Sequence, residues 1–198
     1  MSLVYLASAS QRRHELLLSI DVAHTVLDVP SPPGEDEPRL RGEDAATYVL
    51  RTAGDKARRA VAWVDSRGLP ALPILSADTT VVVEEDILGK PVDADDAAAM
   101  MARLSGRSHT VRTAVVVAHE CQFMQAVSET IVTFRALTAQ DIARYCASDE
   151  PFGKAGAYGI QGRAGTFVED LRGSYSGVVG LPIFETAQLL ARCKIVIP

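Results

Sequence analysis

Apolar positions along the chain follow two different spacings, and each spacing predicts one type of secondary structure. A short continuous apolar run at 3–7 predicts a buried strand, and the more polar stretch behind it predicts a helix over Gln11–Ser19 with Ser10 as its N-cap. Alanine and valine then recur at helical spacing across 44–64, which predicts a long amphipathic helix. Between these two helices, the acidic, proline-rich stretch at 29–38 predicts an irregular loop.

The middle of the chain predicts more strand than helix. The stretch "SADTTVVVEEDILGKP" predicts a strand, an acidic turn and a short returning strand. Asp93 is placed to cap a helix that ends near Leu104, and Gly106 stands where a C-cap glycine belongs. Two runs rich in β-branched residues, "HTVRTAVVVAHE" and "QAVSETIVTFRAL", are joined by a short polar turn and predict a long hairpin.

The last third of the chain combines short elements with a glycine-rich segment. Thr138 and Asp141 predict the start of a helix that ends near Cys146, and Pro182 is predicted as the first residue of the last helix. The segment between these helices is irregular apart from one predicted strand at 166–171. This mixed order predicts an α/β fold with a mixed β-sheet and flanking helices, not a Rossmann or P-loop array. At 198 residues, the chain has the size of one large domain or of two closely joined lobes.

Composition and charge narrow the class of protein. Apolar residues make up 47% and charged residues 23% of the chain, which is ordinary for a globular protein with a real core. The formal net charge is -5, so the charge of the molecule as a whole does not favour binding of a polyanion. We therefore expect no nucleic-acid partner. No apolar run approaches the ~18 residues of a membrane span, and the N-terminus lacks the basic segment of a signal peptide. The three cysteines lie far apart, which suits a reducing compartment, so we expect a cytoplasmic protein without a membrane partner.

The first candidate site is the junction between the first predicted strand and helix, "LASASQRR". The N-terminus of a helix offers unpaired backbone N–H groups and the positive end of the helix dipole, so it attracts anions. Ser8, Ser10, Arg12 and Arg13 add hydroxyl and guanidinium groups there, and arginine can hold a phosphate through two hydrogen bonds. These residues indicate either a phosphate site or a capped surface helix whose arginines are solvated.

An aspartate and a lysine form the second candidate site. Asp78 in "SADTT" follows a short apolar strand, where a carboxylate is unfavourable unless it is paired, exposed or bound to a metal. Carboxylates at strand ends commonly hold Mg²⁺ together with water and a substrate phosphate. Lys90 in "GKP" lies on a rigid turn a short way downstream, so both side chains can face one cleft. The alternatives are an aspartate that starts a turn and a solvated surface lysine.

The third candidate site is the glycine-rich stretch "KAGAYGIQG". Glycine recurs at every third position from 153 to 162, which lets the backbone lie close to a ligand. The amide of Gln161 can both donate and accept hydrogen bonds, as the reading of a base edge requires. A GxxG pattern alone is weak support for RNA binding, and the fold pattern of a KH module is absent. The four histidines have no HExxH-like spacing, so a zinc site is not expected.

Five stretches taken together closely resemble the motifs of the Maf family of nucleotide pyrophosphatases, in the same order and over essentially the whole chain. They are "LASASQRR…ELL", "ADTTVV…GKPVD", "LSGRSHTVRTAV", "EPFGKAGAYGIQG" and "GSYSGVVGLP". The resemblance implies a single Maf-like domain over residues 1–198, related to the ITPase-like fold, with two lobes around a central cleft. It also implies that a nucleoside triphosphate is hydrolysed to the monophosphate and pyrophosphate with a divalent cation, Mg²⁺ or Mn²⁺. Family members are associated with the removal of non-canonical or excess nucleotides and with septum formation and cell-division arrest, and the resemblance further suggests a homodimer.

Three motif positions indicate the branch of the family. The branch that acts on dTTP and UTP carries Arg, Thr and Gln there, and this chain has Arg12, Thr79 and Gln161. The branch that acts on 7-methyl-GTP carries Trp, Gln and Glu. A glutamine amide can pair with a uracil or thymine edge, whereas a carboxylate suits the N–H-rich edge of a methylated guanine. We therefore expect pyrimidine triphosphates as substrates. The alternatives are a purine pyrophosphatase acting on ITP or 7-methyl-GTP, and a non-catalytic nucleotide- or partner-binding septum regulator.

The resemblance also implies roles for individual residues. Asp78 is expected to be the proton acceptor or a metal ligand, with Glu37 as a second carboxylate for the metal. The triphosphate is expected to be held by Ser8, Arg12, Arg13, Lys56 and Lys90. For Lys56, which lies on the predicted amphipathic helix, the alternative is a solvated surface lysine. Two features depart from the family pattern: Gln11 replaces a common proline, and the acidic loop before Arg39 is longer than usual.

Overall fold

A seven-stranded sheet forms the centre of the computed structural model, which describes residues 3–32 and 37–197. Its strands are Val4–Leu6 (β1), His24–Val26 (β2), Ile74–Val83 (β3), Asp86–Leu88 (β4), Ser108–His119 (β5), Gln122–Phe134 (β6) and Val168–Arg172 (β7). Their order is β2-β1-β3-β5-β6-β7, with β4 paired to β3 outside this path. β1 runs parallel to β2 and to β3, and the other pairs are antiparallel. The predicted α/β fold with a mixed sheet is confirmed, and so is the long β5–β6 hairpin.

Within the described residues, six α-helices flank the sheet, and several begin at the caps that the sequence predicts. Their bounds are Gln11–Ser19 (α1), Ala45–Ser66 (α2), Ala94–Leu104 (α3), Ala139–Cys146 (α4), Tyr175–Val179 (α5) and Ile183–Arg192 (α6). The carboxylate of Asp93 accepts a backbone N–H in the first turn of α3, as predicted, and Asp44, which was predicted to lie inside the helix, caps α2 in the same way. Thr138 and Asp141 form a reciprocal capping box at the start of α4. Ser10 takes the N-cap position of α1, although its side chain makes no capping hydrogen bond.

The structure differs from the predicted elements mainly in short segments, and it places Asp78 within β3 and not at the end of a strand. β7 begins two residues later than predicted, because Arg163–Phe167 forms a 3-10 helix before the strand. Pro182 is the N-cap of α6 and not its first helical residue. β2 and α5 were not predicted, since they have three and five residues and are too short to show a period of apolar positions.

Two apolar cores lie side by side on one face of the sheet. Leu75 and Ala77 of β3 belong to the first core, which α1 and α6 cover. Further along the same strand, Val81 and Val83 belong to the second core, which α3 and α4 cover. Alternate residues of a strand point to the same face, so both cores lie on one side of β3. Thr79 lies on this face at the boundary between the cores, whereas its neighbours Asp78 and Thr80 point to the opposite face and are buried there.

The long helix α2 covers the opposite face of the sheet. Its small residues Ala53 and Ala57 pack against Ala114 and Val116 of β5, so the helix lies close to the strands. This packing brings Thr52 of α2 close to the middle of β3. Within residues 3–32 and 37–197, none of the helices has both the length and the apolar character that a membrane span requires.

Candidate active site

A cleft of about 540 Å³ opens where β3 passes from the first core to the second. Its walls come from the start of α1, the middle of β3, the turn after β4, and the glycine-rich segment before β7. The cleft is lined by all the site residues that the sequence predicts: Ser8, Ser10, Arg12, Arg13, Glu37, Lys56, Asp78, Thr79, Lys90 and Gln161. Residues that are far apart in sequence therefore line one cleft. None of the sequence motifs, taken alone, predicts that they meet there.

Asp78 lies deepest among the predicted residues and has two partners on α2. Its side chain is 6% exposed, and its Oδ1 accepts a hydrogen bond from the Nζ of Lys56 at 2.6 Å. Its Oδ2 accepts from the Oγ1 of Thr52 at 2.8 Å. Thr52 and Lys56 are four residues apart on a helix and so lie on one side of it, one turn from each other. A buried carboxylate with a partner at each oxygen does not carry the free-energy penalty of an unpaired one.

The ammonium of Lys56 lies between two carboxylates. It donates to Oδ1 of Asp78 and also to Oε1 of Glu37, so the two acidic groups face the same cation. Burial would raise the pKa of Glu37, but the charge and hydrogen bond of Lys56 outweigh it, with Lys90 and Arg13 adding to them, and the pKa lies below its usual value. Lys90 is 3.8 Å from the other oxygen of Glu37, and its own side chain is 59% exposed. The structure thus directs Lys56 to carboxylates and leaves Lys90 largely open to the cleft.

Arg13 joins three separate parts of the chain. Its Nε donates to the carbonyl of Gly180 at 2.8 Å, its Nη1 to Oγ of Ser8 at 3.0 Å, and its Nη2 to Oγ1 of Thr79 at 3.3 Å. Burial lowers the pKa of the Arg13 guanidinium while the nearby Asp78 opposes that shift, and the group stays charged. Three of the five N–H donors of Arg13 are therefore used within the protein.

Both arginines at the start of α1 reach the end of α5. Nε of Arg12 donates to the carbonyl of Val179 at 3.2 Å, next to the Gly180 carbonyl that Arg13 holds. The last carbonyls of a helix have no partner within the helix, and a cation near them is favourable. The contact fixes the position of Arg12 through its Nε. The other N–H groups of Arg12 have no hydrogen-bond partner among the residues that the structure describes.

Thr79 takes part in a chain of hydroxyl groups. Its Oγ1 lies 2.9 Å from Oγ1 of Thr113, its neighbour across β3 and β5, and Thr113 donates to the carbonyl of Gly177 at 2.7 Å. Because Thr113 donates its only proton to Gly177, it must accept the proton of Thr79, and Thr79 accepts from Arg13. The chain of donors therefore runs in one direction, from Arg13 to Gly177. The Thr79 hydroxyl is engaged by protein groups and not by the open cleft.

Backbone geometry at Gly156 attaches the glycine-rich segment to the sheet. Gly156 has φ +68°, and a Cβ there would lie 2.9 Å from the side chain of Val81 on β3. Its N–H donates to the carbonyl of Gly89 at 2.9 Å, beside Lys90. Only a residue without a side chain permits this close approach in that conformation. As a result, the segment that carries Gln161 is held against β3 and lines the cleft.

Gln161 is exposed in the cleft. Its side-chain amide makes no hydrogen bond to any other residue in the part of the chain that the structure describes. Its position depends on the backbone that carries it.

Three residues at this site were not predicted from the sequence. Thr52 binds Asp78, Thr113 completes the hydroxyl chain, and Lys154 lines the cleft beside the glycine-rich segment. Burial, and after it the charge of Arg12, lowers the pKa of Lys154. Thr52 stands one helical turn before Lys56, and Lys154 is the first residue of the quoted stretch "KAGAYGIQG". These sequence positions could have indicated Thr52 and Lys154 as site residues. Thr113 has no such indication, because threonine is common in β-strands.

The donor set fits a divalent cation that is shared with a substrate. Within residues 3–32 and 37–197, no group of three or more His, Cys, Asp and Glu side chains is placed to hold a metal ion. Glu37 and Asp78 nevertheless present oxygen atoms to one cation, the ammonium of Lys56. Mg²⁺ is typically bound by one or two carboxylates together with substrate phosphates and water. Two carboxylates facing a cleft are therefore a sufficient protein contribution for such an ion.

A family model and curated relatives match nearly the whole chain. The family model described as Maf-like protein matches residues 3–193. A dTTP/UTP pyrophosphatase of Bordetella avium is 61% identical over 195 residues, which cover 98% of this chain and 97% of that protein. A dTTP/UTP pyrophosphatase of Cupriavidus metallidurans is 53% identical over 193 residues, or 96% of each chain. The solved structure of the Staphylococcus aureus Ham1 protein aligns with 66% of this chain and 70% of its own at 13% identity, with a TM-score of 0.42.

Proposed function

This chain belongs to the Maf family, and on that basis we propose that it hydrolyses dTTP and UTP to the monophosphate and pyrophosphate. The resemblance that the sequence motifs predict is confirmed by the family model and by relatives named dTTP/UTP pyrophosphatase. The observation that carries the proposal is the shared cleft, in which cationic side chains face the carboxylates of Asp78 and Glu37. Opposite charges on two sides of one cleft suit a triphosphate that brings a divalent cation with it.

In this proposal, the cations of the cleft bind the phosphates. The open N–H groups of Arg12 and the exposed ammonium of Lys90 are available to phosphate oxygens, and Lys154 lies on the same surface. Arg13 contributes charge while it holds Ser8, Thr79 and Gly180 in place. Phosphoryl chemistry depends mainly on positioning and on charge stabilisation, which are the two things these groups provide.

The bond that breaks joins the α-phosphorus to the oxygen that bridges it to the β-phosphorus. Water attacks the α-phosphorus, the bridging oxygen leaves with pyrophosphate, and Asp78 accepts the proton of the water. A divalent cation held by Asp78, Glu37 and the phosphates would neutralise charge on the triphosphate. Thr52 and Lys56 orient the Asp78 carboxylate toward the place where water is needed.

Selectivity for the base is proposed to come from Gln161. Its amide has both a donor and an acceptor and is not used by other described residues, so it can pair with the carbonyl and N–H groups of uracil or thymine. Thr79 has a different role in this proposal. Because its hydroxyl is bound to Arg13 and Thr113, it affects the substrate through the position of Arg13.

A nucleotide panel tests the proposal. The purified protein is incubated with Mg²⁺ and with dTTP, UTP, CTP, GTP, ITP or 7-methyl-GTP, and pyrophosphate release is measured. We expect release chiefly from dTTP and UTP. Release from purine nucleotides alone would indicate a purine pyrophosphatase, and no release from any nucleotide would favour a non-catalytic septum regulator.

Three further expectations stay proposals. We place the protein in the cytoplasm, in line with its three free cysteines. A homodimer is expected and can be tested by sedimentation velocity. A link between hydrolysis and septum formation can be tested by overproducing the active protein and an inactive variant and comparing their effects on cell division.

A further inference from the structure

Glu150 holds the backbone directly behind Gln161. Its Oε2 accepts the N–H of Arg163 at 3.0 Å, and its Oε1 accepts the N–H of Ala164 at 3.2 Å. These are the first two N–H groups of the short 3-10 helix that follows Gln161 and Gly162. Such groups have no partner within their own helix, so the carboxylate replaces the water that would otherwise bind them.

The residue between Gln161 and this helix is shaped to accommodate the carboxylate. A Cβ at Gly162 would lie 2.3 Å from Oε1 of Glu150, well inside the contact distance of two atoms. The Glu150 carboxylate thus occupies the space in which any other residue at 162 would place its side chain. At the other end of the segment, the ammonium of Lys154 donates to the backbone carbonyl of Glu150. One residue therefore ties both ends of the glycine-rich segment.

We propose that Glu150 is the residue that positions Gln161 for base recognition. Gln161 has no side-chain partner among the described residues, so the direction of its amide depends on the course of the backbone from 159 to 164. Glu150 fixes that course through two hydrogen bonds to a charged acceptor, which are stronger than bonds to a neutral one. Glu150 does not line the cleft itself, and its effect on the substrate passes through Gln161. This inference rests on the proposed reading of the base by Gln161.

Glu150→Gln is the direct test. The variant keeps the size of the side chain, but its NH₂ group must face one of the two backbone N–H donors, so one hydrogen bond is lost. kcat/KM is measured for dTTP and for CTP, whose base presents an amino group where thymine has a carbonyl. We expect the ratio of the two values to fall about fivefold, which corresponds to one net hydrogen bond. Asp149→Asn removes the same charge from the exposed neighbouring residue and is expected to leave the ratio unchanged.

A double-mutant cycle separates positioning from general damage. Gln161→Ala alone should lower the ratio, and adding Glu150→Gln to it should lower the ratio no further, because the group that Glu150 positions is already absent. Equal losses for both nucleotides, or a further loss in the double variant, would mean that Glu150 acts only on the fold. A changed ratio in Glu150→Gln together with an unchanged ratio in Gln161→Ala would also overturn the proposal.

A second variant covers the case in which Glu150→Gln does not fold. Gly162→Ala places a methyl group against the carboxylate from the other side and should give the same selective loss. Pyrophosphate release from the wild-type protein is measured first. A wild type that releases none refutes the proposed function itself, whereas an active wild type whose Glu150 and Gly162 variants keep the full ratio refutes only the positioning role.

Discussion

Replacing Lys56 by methionine tests the arrangement at the centre of the cleft. Methionine has a similar length and no charge, so the change removes the cation between Glu37 and Asp78 and leaves their carboxylates facing each other. Removal of one partner from a buried ion pair destabilises a protein by about 3–5 kcal/mol. The Lys56 and Glu37 side chains are 17% and 19% exposed, so solvent weakens the effect and we expect the lower end of that range.

The expected change in melting temperature follows from the size of the chain. With 198 residues, each kcal/mol corresponds to roughly 2–4 °C, so a loss of about 3 kcal/mol lowers Tm by roughly 6–12 °C in EDTA. A divalent cation can then take the place of the ammonium. At a Mg²⁺ or Mn²⁺ concentration about ten times its Kd, binding adds about 1.4 kcal/mol and raises Tm by roughly 3–6 °C. The wild type, in which Lys56 competes for the same oxygens, should gain less.

Thermal unfolding followed by circular dichroism measures both effects, and Lys90→Met is the matched control. Lys90→Met removes the same charge from the same cleft, but the Lys90 side chain is 59% exposed and its Nζ lies 3.8 Å from Oε2 of Glu37. An exposed pair of this kind contributes at most about 1 kcal/mol, so its Tm should change little. Two results would refute this reasoning: a Tm of Lys56→Met in EDTA equal to that of the wild type, or a rise in Tm with Mg²⁺ no larger than that of the control. Either result would mean that the ammonium of Lys56 does not stabilise the carboxylates of Glu37 and Asp78.

Three other predictions concern catalysis, selectivity and acid stability. Asp78→Asn should lower turnover of dTTP about a hundredfold or more, as loss of a general base does, while the variant still folds because Lys56 keeps Glu37 as a partner; near-normal turnover would remove Asp78 from the mechanism. Gln161→Glu should strongly weaken the hydrolysis of dTTP and UTP and change Tm little. Unchanged selectivity across the nucleotide panel would show that Gln161 does not read the base. Burial lowers the pKa of His109 to about 4, so the unfolded chain binds a proton between about pH 6.5 and 4 that the folded chain does not. The free energy of unfolding should therefore be highest above pH 6.5 and fall by up to about 3 kcal/mol toward pH 4, and urea titrations should show a shallower fall for His109→Gln; parallel curves would contradict this.

The sequence predicts the elements around the cleft well because their signals are local. The predicted caps at Asp93 and Thr138 depend on side chains that bind N–H groups three residues ahead. The apolar period of α2 reflects contact with the sheet along its whole length. β2 and α5 lack such signals, since they are short and are held by pairing with β1 and by contacts with α1 and β5.

The partners of the site residues could not be predicted, because hydrogen-bond partners are chosen by the tertiary fold. Nothing near Lys56 in sequence indicates that its ammonium meets Asp78, 22 positions away. Arg13 was expected to bind phosphate, yet three of its donors hold protein groups, one of them 167 positions distant. Sequence patterns identify the charged residues that suit phosphate binding. They do not distinguish a residue that contacts the ligand from a residue that positions other side chains of the site.

The position of the cleft has a physical cause in the division of β3 between two cores. Asp78 points to the face opposite the two cores, and Thr52 and Lys56 of α2 keep its buried carboxylate from being unpaired there. On the face that carries the cores, Thr79 stands between Ala77 of the first core and Val81 of the second, and neither core covers it completely. Lys56 and Thr52 approach Asp78 from α2, while Arg13 meets Thr79 from the side of α1. Polar partners on both faces of β3 therefore meet at residues 78–79: α2 supplies the groups that compensate the buried carboxylate, and the boundary between the cores on the other face leaves room for a ligand beside Thr79.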